Sequence, residues 1–556
     1  MNIQLRFAAK SQSTRFNIPC GTASSVPAKP ASFTLGVLLL LFMGVTFSHA
    51  QYADLYEFGG KPGGCCPQHP SIMAQGRDGN LYGITSAGGS NNIGTIFKIT
   101  PTGTFTQLYS FDTVHGSTPV GGLVLGLDGN LWGTTEEGGT NGFGNIFKIT
   151  PSGTLTVIYN FTGNSTVDGG FPVSPLIVGP DGQYYGTAHP GIAFKVSATG
   201  VFTRIATTPS ESFGPLLLAS NGSYYGVTEF AGTNTLGSIY KVTGTTSSAL
   251  FNFDGPRGEF PSGGLVQGSD GNLYGTTTAG GTANDGVIFR ITPTGTYTVV
   301  FNFDHVNQLA LGYQAYAGLI AGNDGNLYGT TIWGGSNGDG VIFQMTTSGA
   351  YTVLYNFDGT HGTGTYATPM EHTSGEIFGL TKRGGVLGNG VVYGFRANLP
   401  AYIALTNPSG AVGSSVGILG KGFSTATSVQ FNGTPASFHV LSNTYMTATV
   451  PSGETGFVTV TTSTGMLTSN KIFKVPPKII SFSPTSGKVG DPIVLTGSGL
   501  IQTQKITVGG VAVTSYVVNS DSQVTFTVPN GAKSGKVVVT TPGGTTSSTA
   551  SFTVTK

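Results

Sequence analysis

The chain has 556 residues, too many for a single hydrophobic core, so we expect about three folded units. Only 9% of the residues are charged and 89 are Gly, while short Val-, Ile-, Tyr- and Thr-rich runs alternate with turn residues, which indicates an all-β protein. Residues 51–400 carry a net charge of −9 and residues 401–556 one of +6. The acidic first region excludes nucleic acid as its expected partner, because phosphate binding requires a basic face.

The first fifty residues predict an export signal. Four basic residues precede an uncharged apolar run of 15 residues over 33–47, and Ser48 and Ala50 are small residues of the kind that a signal peptidase recognises. The run is shorter than the roughly 18 residues that a spanning helix needs. We therefore expect residues 1–50 to be a cleaved signal peptide and the protein to be secreted or placed on the cell surface. An uncleaved membrane anchor is the alternative.

Three cysteines are present, and Cys20 would leave with the signal peptide. The mature chain would then hold only the adjacent pair Cys65 and Cys66. A disulfide between neighbours is a strained ring, and two cysteines cannot build a scaffold of bridges. We interpret the pair as incidental loop residues, with a redox or metal site as the alternative.

A repeated phrase, Asp-Gly-Asn-Leu-Tyr-Gly and its variants, dominates residues 51–399. Successive copies are separated by 50, 53, 40, 49, 54 and 50 residues. Seven copies with one period near fifty residues predict a seven-bladed β-propeller. The copies begin at Asp78, Asp128, Asp181, Asn221, Asp270, Asp324 and Ser374.

One repeat shows why each unit should form a four-stranded blade. Asp270-Gly271 is a tight turn between two short apolar strands, and Val287–Ile291 and a run from Tyr297 to Phe303 supply the third and fourth strands. Apolar residues fall on both faces of such a sheet. Stacking between two similar neighbours buries both faces, which favours a closed ring of blades.

The seventh repeat lacks a fourth strand after residues 390–396. Residues 53–58, Ala-Asp-Leu-Tyr-Glu-Phe, resemble the fourth strands of the other repeats. We therefore expect residues 53–58 to pair with residues 390–396 and to complete the last blade. This closure would remove the two exposed edges of an open ring.

The repeat units, which read Asp-Gly-Asn-Leu-Tyr-Gly-Thr-Thr-x-x-Gly-Gly and Val-Ile-Phe-Arg-Ile-Thr-Pro-x-Gly, resemble the tandem repeats of GloVer-type bacterial proteins, which are exported proteins of the choice-of-anchor kind. The resemblance covers about residues 51–397. It implies a surface or secreted location in a bacterium, and it supplies no catalytic residues.

From residue 400 the period changes, and two copies of a different unit predict β-sandwich domains over 400–475 and 476–556. Their motifs resemble those of IPT/TIG domains, which are immunoglobulin-like modules of extracellular proteins. The short joint Val475-Pro476-Pro477 predicts a semi-rigid pair, a spacer or stalk, with a recognition role as the alternative. The matching motifs are Gly420-Lys421-Gly422-Phe423 with Gly497-Ser498-Gly499-Leu500, Val429–Gly433 with Ile506–Gly510, and Val450-Pro451 with Val528-Pro529.

A candidate ligand site follows from the loops that come after the second strands. Each loop has a constant Thr-x-x-Gly-Gly frame with a variable pair in its middle, which is how a scaffold presents different chemistry on loops. Exposed Trp beside carboxylates suits stacking on a sugar ring with hydrogen bonds to its hydroxyls, although loop charges are commonly just solvated. The candidate ligand-binding residues are Glu136, Glu137, Glu229, Phe230, Trp333, Lys382 and Arg383.

No catalytic, cofactor-binding or metal-binding constellation is apparent. Nine acids recur at equivalent positions of the repeats, in the Asp-Gly turns and just after the fourth strands, which indicates structural roles. In the predicted innermost strands only Glu371 and His372 are titratable, and the eight His residues lack zinc-ligand spacing. We therefore expect no cofactor and no enzyme activity.

These features favour an exported binding or adhesion protein, with the propeller as the ligand-binding head and the sandwich pair as a stalk. The expected partner is an extracellular polysaccharide or a surface protein, and the chain is expected to be monomeric. Two alternatives remain: a carbohydrate-active hydrolase or lyase that uses Glu136, Glu137 and Glu229, and a structural surface component.

Overall fold

The molecule is described here from a computed structural model. The predicted signal peptide and the Cys65–Cys66 pair lie outside its described residues. Within the described part, regular structure consists of β-strands and two short 3₁₀ helices, Leu309–Leu311 and Phe423–Thr425, and contains no helix long and apolar enough to cross a membrane. The described residues are 51–60, 64, 72–210 and 212–556.

Seven four-stranded antiparallel sheets form the first part of the fold, and in the first six the strands follow chain order from the first strand to the fourth. Each sheet is one blade of the propeller, and the seven-bladed ring predicted from the sequence is confirmed. Blades 1 to 3 consist of Ala74–Gln75 (β2), Leu81–Thr85 (β3), Thr95–Ile99 (β4) and Phe105–Ser110 (β5); Leu123–Leu125 (β6), Leu131–Thr135 (β7), Asn145–Ile149 (β8) and Leu155–Asn160 (β9); and Ile177–Val178 (β10), Tyr184–Ala188 (β11), Ile192–Val196 (β12) and Phe202–Thr207 (β13).

The remaining blades repeat the same pattern, except that the last one takes its fourth strand from the other end of the chain, Tyr52–Glu57 (β1). Blades 4 to 7 consist of Leu217–Leu218 (β14), Tyr224–Thr228 (β15), Ser238–Thr243 (β16) and Thr246–Asn252 (β17); Val266–Gln267 (β18), Leu273–Thr276 (β19), Val287–Ile291 (β20) and Tyr297–Asn302 (β21); Ile320–Ala321 (β22), Leu327–Thr330 (β23), Val341–Met345 (β24) and Tyr351–Asn356 (β25); and Met370–Glu371 (β26), Ile377–Leu380 (β27) and Val391–Phe395 (β28) with β1.

Strand β1 is the outermost strand of blade 7. It runs antiparallel to β28, with Tyr52 opposite Phe395 and Glu57 opposite Val391. Phe58 continues the pairing, because its backbone N–H donates to the carbonyl oxygen of Gly390 at 3.0 Å. The first strand of the described chain thus lies in the same sheet as the last strand of the propeller, which leaves no gap in the ring.

The Asp-Gly turns explain the repeated motif. In blade 5 the Asp270 carboxylate accepts hydrogen bonds from the Asn272 side chain and the Tyr274 hydroxyl, both at 2.7 Å, and Gly271 takes a φ of 80° that a side chain would disfavour. Partial burial opposes ionisation, but these donors hold the pKa of Asp270 below its usual range. The motif acid is therefore part of the turn, with Asn and Tyr as its partners.

Aromatic side chains on both faces of each sheet pack against the next blade. Trp132 of blade 2 stacks on Tyr184 of blade 3 with 3.8 Å between ring centroids, and both are fully buried. Phe111 and Phe147 meet edge to face at 5.4 Å between blades 1 and 2. Such contacts recur around the ring, so the cores lie between blades and bury both faces of every sheet.

The propeller has two different ends. The turn face carries the short turns between the first and second strands, such as Asp78-Gly79, and between the third and fourth strands. The loop face, at the opposite end, carries the loops from the second to the third strand and from each fourth strand to the next blade.

Two β-sandwiches follow, each made of two sheets around its own apolar core, and the two immunoglobulin-like domains predicted from the sequence are confirmed. The first consists of Ala404–Leu405 (β29), Ser415–Leu419 (β30), Ser428–Phe431 (β31), Thr434–Ala436 (β32), Phe438–Val440 (β33), Tyr445–Thr449 (β34), Val458–Thr462 (β35) and Gly465–Thr468 (β36); the second of Lys478–Ser483 (β37), Ser486–Gly487 (β38), Pro492–Ser498 (β39), Lys505–Val508 (β40), Val511–Ala512 (β41), Tyr516–Ser520 (β42), Gln523–Thr527 (β43), Gly535–Thr541 (β44) and Gly544–Val554 (β45).

The first sandwich packs on the turn face. The Arg77 guanidinium lies over the Tyr445 ring at 4.5 Å, and the Thr444 hydroxyl donates to the Arg77 carbonyl oxygen at 2.8 Å. Further round the ring, the Lys474 ammonium donates to the Ser220 carbonyl oxygen at 2.8 Å. The sandwich therefore contacts blades 1 and 4 and covers the turn-face end of the central channel.

Candidate functional site

The variable pairs on the loop face are held by the backbone. In blade 7 the N–H groups of Lys382 and Arg383 donate to the carbonyl oxygens of Gly364 and Thr363 at 3.0 and 3.2 Å. The equivalent two bonds tie Ile332-Trp333 to the preceding loop in blade 6, and the same ladder recurs in blades 2 and 5. Each pair is thus fixed at its backbone while its side chains vary from blade to blade.

The predicted ligand-binding residues differ in exposure. Phe230 is 55% exposed and Trp333 is 40% exposed, values that are high for large aromatic side chains. Arg383 is exposed. The other four residues are half-buried: Glu136, Glu137, Glu229 and Lys382.

Two tyrosines that the sequence analysis did not select lie at the mouth of the central channel. Tyr316 lies three residues before Leu319, and Tyr366 lies three residues before Pro369. Leu319 and Pro369 each directly precede the innermost strand of their blade. Their rings are 5.1 Å apart between centroids and tilted by 59°. They belong to successive blades, so the rings bridge blade 6 and blade 7 at the loop face.

The backbones that carry these side chains approach closely around the channel. A Cβ atom on Gly263 would lie 2.5 Å from the backbone nitrogen of Gly318, so a side chain there would clash with the next blade. The ring of inner segments is therefore narrow at this end. The side chains at equivalent positions in blades 2 to 7 crowd around its mouth: Val120, Val173, Phe213, Ser262, Tyr316 and Tyr366.

A chain of contacts joins two of the predicted residues through the tyrosines. The Ser262 hydroxyl donates to Oε1 of Glu229 at 3.0 Å, and burial together with the nearby Glu229 charge raises the pKa of Tyr316. At the other end, the Lys382 ammonium lies 4.5 Å from the centre of the Tyr366 ring. A carboxylate and an ammonium group thus flank a pair of tyrosine rings.

Trp333 lies on a loop that is connected to this chain. The Thr365 hydroxyl, next to Tyr366, donates to the Thr331 carbonyl oxygen at 2.9 Å, and the Thr363 hydroxyl donates to the Asp339 carbonyl oxygen at 3.1 Å. These bonds tie the loops of blades 6 and 7 together. Trp333 is two residues beyond Thr331, so it lies on a loop that is bonded to the loop that carries Tyr366.

The seven predicted residues lie on the loop face of four blades. Five of them belong to blades 4 to 7, the loop-face sector that also contains the two tyrosines: Glu229 and Phe230 on blade 4, Trp333 on blade 6, and Lys382 and Arg383 on blade 7. Glu136 and Glu137 lie on blade 2, two blades from Glu229 and, round the ring, two blades from Lys382. Sequence alignment of the loops before the innermost strands, as well as of those after the second strands, would have found Tyr316 and Tyr366.

Recurring acids have structural partners. Asp128 and Asp181 accept hydrogen bonds from Lys148 and Lys195 beside the motif turns, at 3.2 and 2.9 Å. Asp358, after a fourth strand, accepts from His361. In the part of the chain that the structure describes, no three His, Cys, Asp or Glu side chains are grouped so as to hold a metal ion.

Glu371 and His372 lie at the opposite, turn-face end. The Tyr402 hydroxyl, at the start of the first sandwich, donates to the Glu371 carbonyl oxygen at 2.9 Å. His372 is buried, with Nδ1 at 2.8 Å from the Ser374 hydroxyl and Nε2 at 3.1 Å from the Gly79 carbonyl oxygen. These two titratable groups are covered by the segment that leads into the sandwich and are not part of the loop-face sector.

Similarity to solved structures is low. Surface glycan-binding protein PbSGBP-B from Prevotella bryantii is 18% identical, with a TM-score of 0.22 over 26% of this chain and 38% of that chain. PorZ, a surface component of the type-IX secretion system of Porphyromonas gingivalis, is 12% identical, with a TM-score of 0.41 over 73% of this chain and 60% of that one. A fungal alcohol oxidase of the AA5 family, in complex with copper, is 14% identical, with a TM-score of 0.39 over 89% of this chain and 100% of that one. The chain thus spans less than two thirds of either bacterial surface protein, and similarity at this level says nothing of its activity.

Family models match most of the described chain. The Gloeobacter/Verrucomicrobia repeat matches residues 41–200 and 191–309, and the IPT/TIG domain matches residues 402–473 and 477–554. No curated protein matches the sequence significantly. The resemblances stated from the repeat units and from the C-terminal motifs are confirmed: the chain contains Gloeobacter/Verrucomicrobia repeats over residues 41–309 and two C-terminal IPT/TIG domains.

Proposed function

We propose that the chain is an exported binding protein whose propeller holds an extracellular polysaccharide on the loop face. The observation that carries the proposal is the loop face of blades 4 to 7, where the exposed rings of Phe230 and Trp333 and the Tyr316–Tyr366 pair lie on loops of the same sector. Sugar rings present apolar C–H faces that stack on aromatic side chains, and their hydroxyls need nearby polar partners. Glu229, Ser262 and Lys382 supply such partners in the same sector.

The position of the sandwiches supports this orientation. The first sandwich packs on the turn face through Arg77, Thr444 and Tyr445, so the loop face is the end of the propeller that faces away from it. A ligand on the loop face would meet no part of the first sandwich. The propeller would then act as a head, and the sandwich pair would connect it to whatever holds the protein.

The test is binding of the secreted full chain to a panel of soluble polysaccharides, measured by affinity electrophoresis and then by calorimetry for any that bind. Trp333→Ala should weaken binding of a retained polysaccharide about tenfold or more, because a stacked aromatic ring is among the largest single contributions to such a site. Phe457→Ala is the matched control, because Phe457 is 51% exposed on the first sandwich. Equal affinity of the Trp333 variant and the unchanged protein would contradict the proposed site.

The same panel tests the two alternatives from the sequence. Release of shortened saccharides would favour a hydrolase or lyase, whose candidate acids Glu136 and Glu137 lie on blade 2 and Glu229 on blade 4. Absence of retention by every polysaccharide, combined with high abundance on the cell surface, would favour a structural component. Retention without release supports the binding protein.

A further inference from the structure

We infer that the polysaccharide is acidic, a chain of uronic acid residues whose carboxylates bind at Arg383 and Lys382 while a neighbouring sugar stacks on Trp333. This inference rests on the proposed function and adds the chemical class of the ligand.

The first observation concerns the basic side chains of the propeller. Three of them form ion pairs within the fold: Lys148 and Lys195 on third strands bind motif carboxylates, and Arg396, just after the third strand of blade 7, binds Glu376 with Nε 2.7 Å from Oε1. Arg383 differs from them, because it is exposed and, across residues 72–210 and 212–556, no carboxylate lies within ion-pair distance of it. Its guanidinium therefore remains available to an external anion.

The second observation is that two positive charges meet at one tyrosine. Lys382 lies over the Tyr366 ring at 4.5 Å. Arg383 is the next residue in the chain, and its charge opposes the rise that burial causes in the pKa of Tyr366. Among the variable pairs of the loop face only the pair in blade 7 contains Lys or Arg. Arg257, in the loop after the fourth strand of blade 4, is paired with Asp254, so the cationic variable pair of this face is the one in blade 7.

The third observation is the neighbouring stacking surface. Trp333 is 40% exposed, and its loop is tied to the loops of blade 7 by the hydroxyls of Thr363 and Thr365. A uronic acid carries its carboxylate at the ring edge, as a substituent that points away from a stacked face. A chain lying across blades 6 and 7 would then stack one ring on Trp333 and offer a carboxylate to the planar fork of Arg383.

The acids of the loop face include some on the same two blades. Asp339 lies in the loop of blade 6, Asp358 after its fourth strand is paired with His361, and Glu57 accepts a hydrogen bond from the Leu387 N–H in the loop of blade 7. Glu136 and Glu137 lie on blade 2 and Glu229 on blade 4, whereas the cationic pair occupies blade 7. At physiological ionic strength, charges farther apart than about 8 Å are largely screened, so local contacts decide the sign of the ligand. An acidic chain is therefore expected to follow blades 6 and 7 and to avoid blade 2.

The experiment compares polygalacturonate with the same polymer after full methyl esterification, which removes the charge and keeps the sugar backbone. The secreted full chain should bind polygalacturonate at least about tenfold more tightly than the ester, and binding should weaken as salt is raised from about 50 to 500 mM. Arg383→Gln should reduce the affinity for polygalacturonate about tenfold and leave that for the ester unchanged. Arg396→Gln, which removes the same charge at the other end of the same blade, is the matched control.

Each outcome is informative. Equal binding of the two polymers, binding of neutral polysaccharides alone, or an unaltered Arg383 variant would overturn the acidic ligand, while a loss in Trp333→Ala would still support the proposed loop-face site. Failure of the unchanged protein to retain any acidic or neutral polysaccharide would overturn both. If the protein binds polygalacturonate tightly and both Arg383→Gln and Trp333→Ala weaken that binding, the acidic ligand and the loop-face site are both supported.

Discussion

Glu371 is a carboxylate in an unusual position, at the turn-face end of the channel under the segment that leads into the first sandwich. Its Oε2 accepts from the backbone N–H of Asn323 at 3.1 Å, and its Oε1 is buried without a hydrogen-bond partner among the described residues. Burial raises the pKa of Glu371 from 4.5 to about 7, and the Asn323 N–H opposes this rise only in part. The carboxyl group is therefore held in its protonated form over part of the mildly acidic range.

A pH dependence of stability follows from this residue. The pKa of Glu371 is higher in the folded protein than in the unfolded chain. Between pH 4.5 and about 7 the folded protein therefore keeps a proton that the unfolded chain has lost. The contribution of Glu371 to stability consequently falls as the pH rises through that window. Glu371→Gln should be about 1–2 kcal/mol more stable than the unchanged protein at pH 8, allowing for partial solvent screening, and equally stable at pH 4. Chemical denaturation at the two pH values measures this. Glu376→Gln is the control, and a pH-independent difference for Glu371→Gln would contradict the assignment.

At the scale of the element, strand β1 joins three blades. Tyr52 stacks on Tyr355 of blade 6 with 4.1 Å between centroids, while Tyr56 stacks on Phe105 of blade 1 at 3.7 Å. Its backbone meanwhile pairs with β28 of blade 7. A single strand thus completes one sheet and contributes to both neighbouring cores.

Removing these contacts should loosen the ring. Tyr56→Ala should lower the free energy of unfolding by about 2–4 kcal/mol, because it removes a half-buried ring and leaves Phe105 without its stacking partner. Deletion of residues 51–60 should abolish the cooperative transition of the propeller, because β28 and both neighbouring blades would lose their partners. Thermal unfolding followed by calorimetry tests both, with Tyr516→Ala in the second sandwich as the control. Unchanged melting of the deletion variant would refute a closing role for β1.

At the scale of the whole molecule, the propeller and the first sandwich form a joined unit. Arg77 bridges blade 1, blade 2 and the sandwich, because its Nη2 donates to the Leu127 carbonyl oxygen at 2.5 Å while the guanidinium lies over Tyr445. The Asn323 side chain donates to the Pro400 carbonyl oxygen at 2.7 Å in the connecting segment. The first sandwich thereby covers one end of the channel.

Coupling between the two parts can be measured. The propeller and the first sandwich should unfold in one calorimetric transition. The double variant Arg77→Ala, Thr444→Val should show two transitions, because it loses the cation–ring contact and a hydrogen bond across the interface. Arg204→Ala is the matched control, because Arg204 also donates to backbone carbonyl oxygens but lies away from the sandwich. A single transition in the double variant would show that the interface contributes little.

Local patterns explain what could be predicted. The Asp-Gly turn with its Asn and Tyr partners is formed within five residues, as Asp270, Asn272 and Tyr274 show, so each copy is recognisable wherever it occurs. The number of blades follows from counting these copies. The shortage of a fourth strand after residues 390–396 likewise indicated that another segment had to complete the sheet.

The sequence by itself determined the all-β class, the seven repeats, the two sandwiches and the loops that vary, because turn chemistry and alternating burial act over a few neighbouring residues. Only the tertiary structure decided that Tyr316 and Tyr366 meet, that Lys382 lies over one of them, and that the first sandwich covers the turn face. These contacts join residues that are distant in the chain, and their geometry depends on how whole blades pack around the ring, which no local pattern encodes.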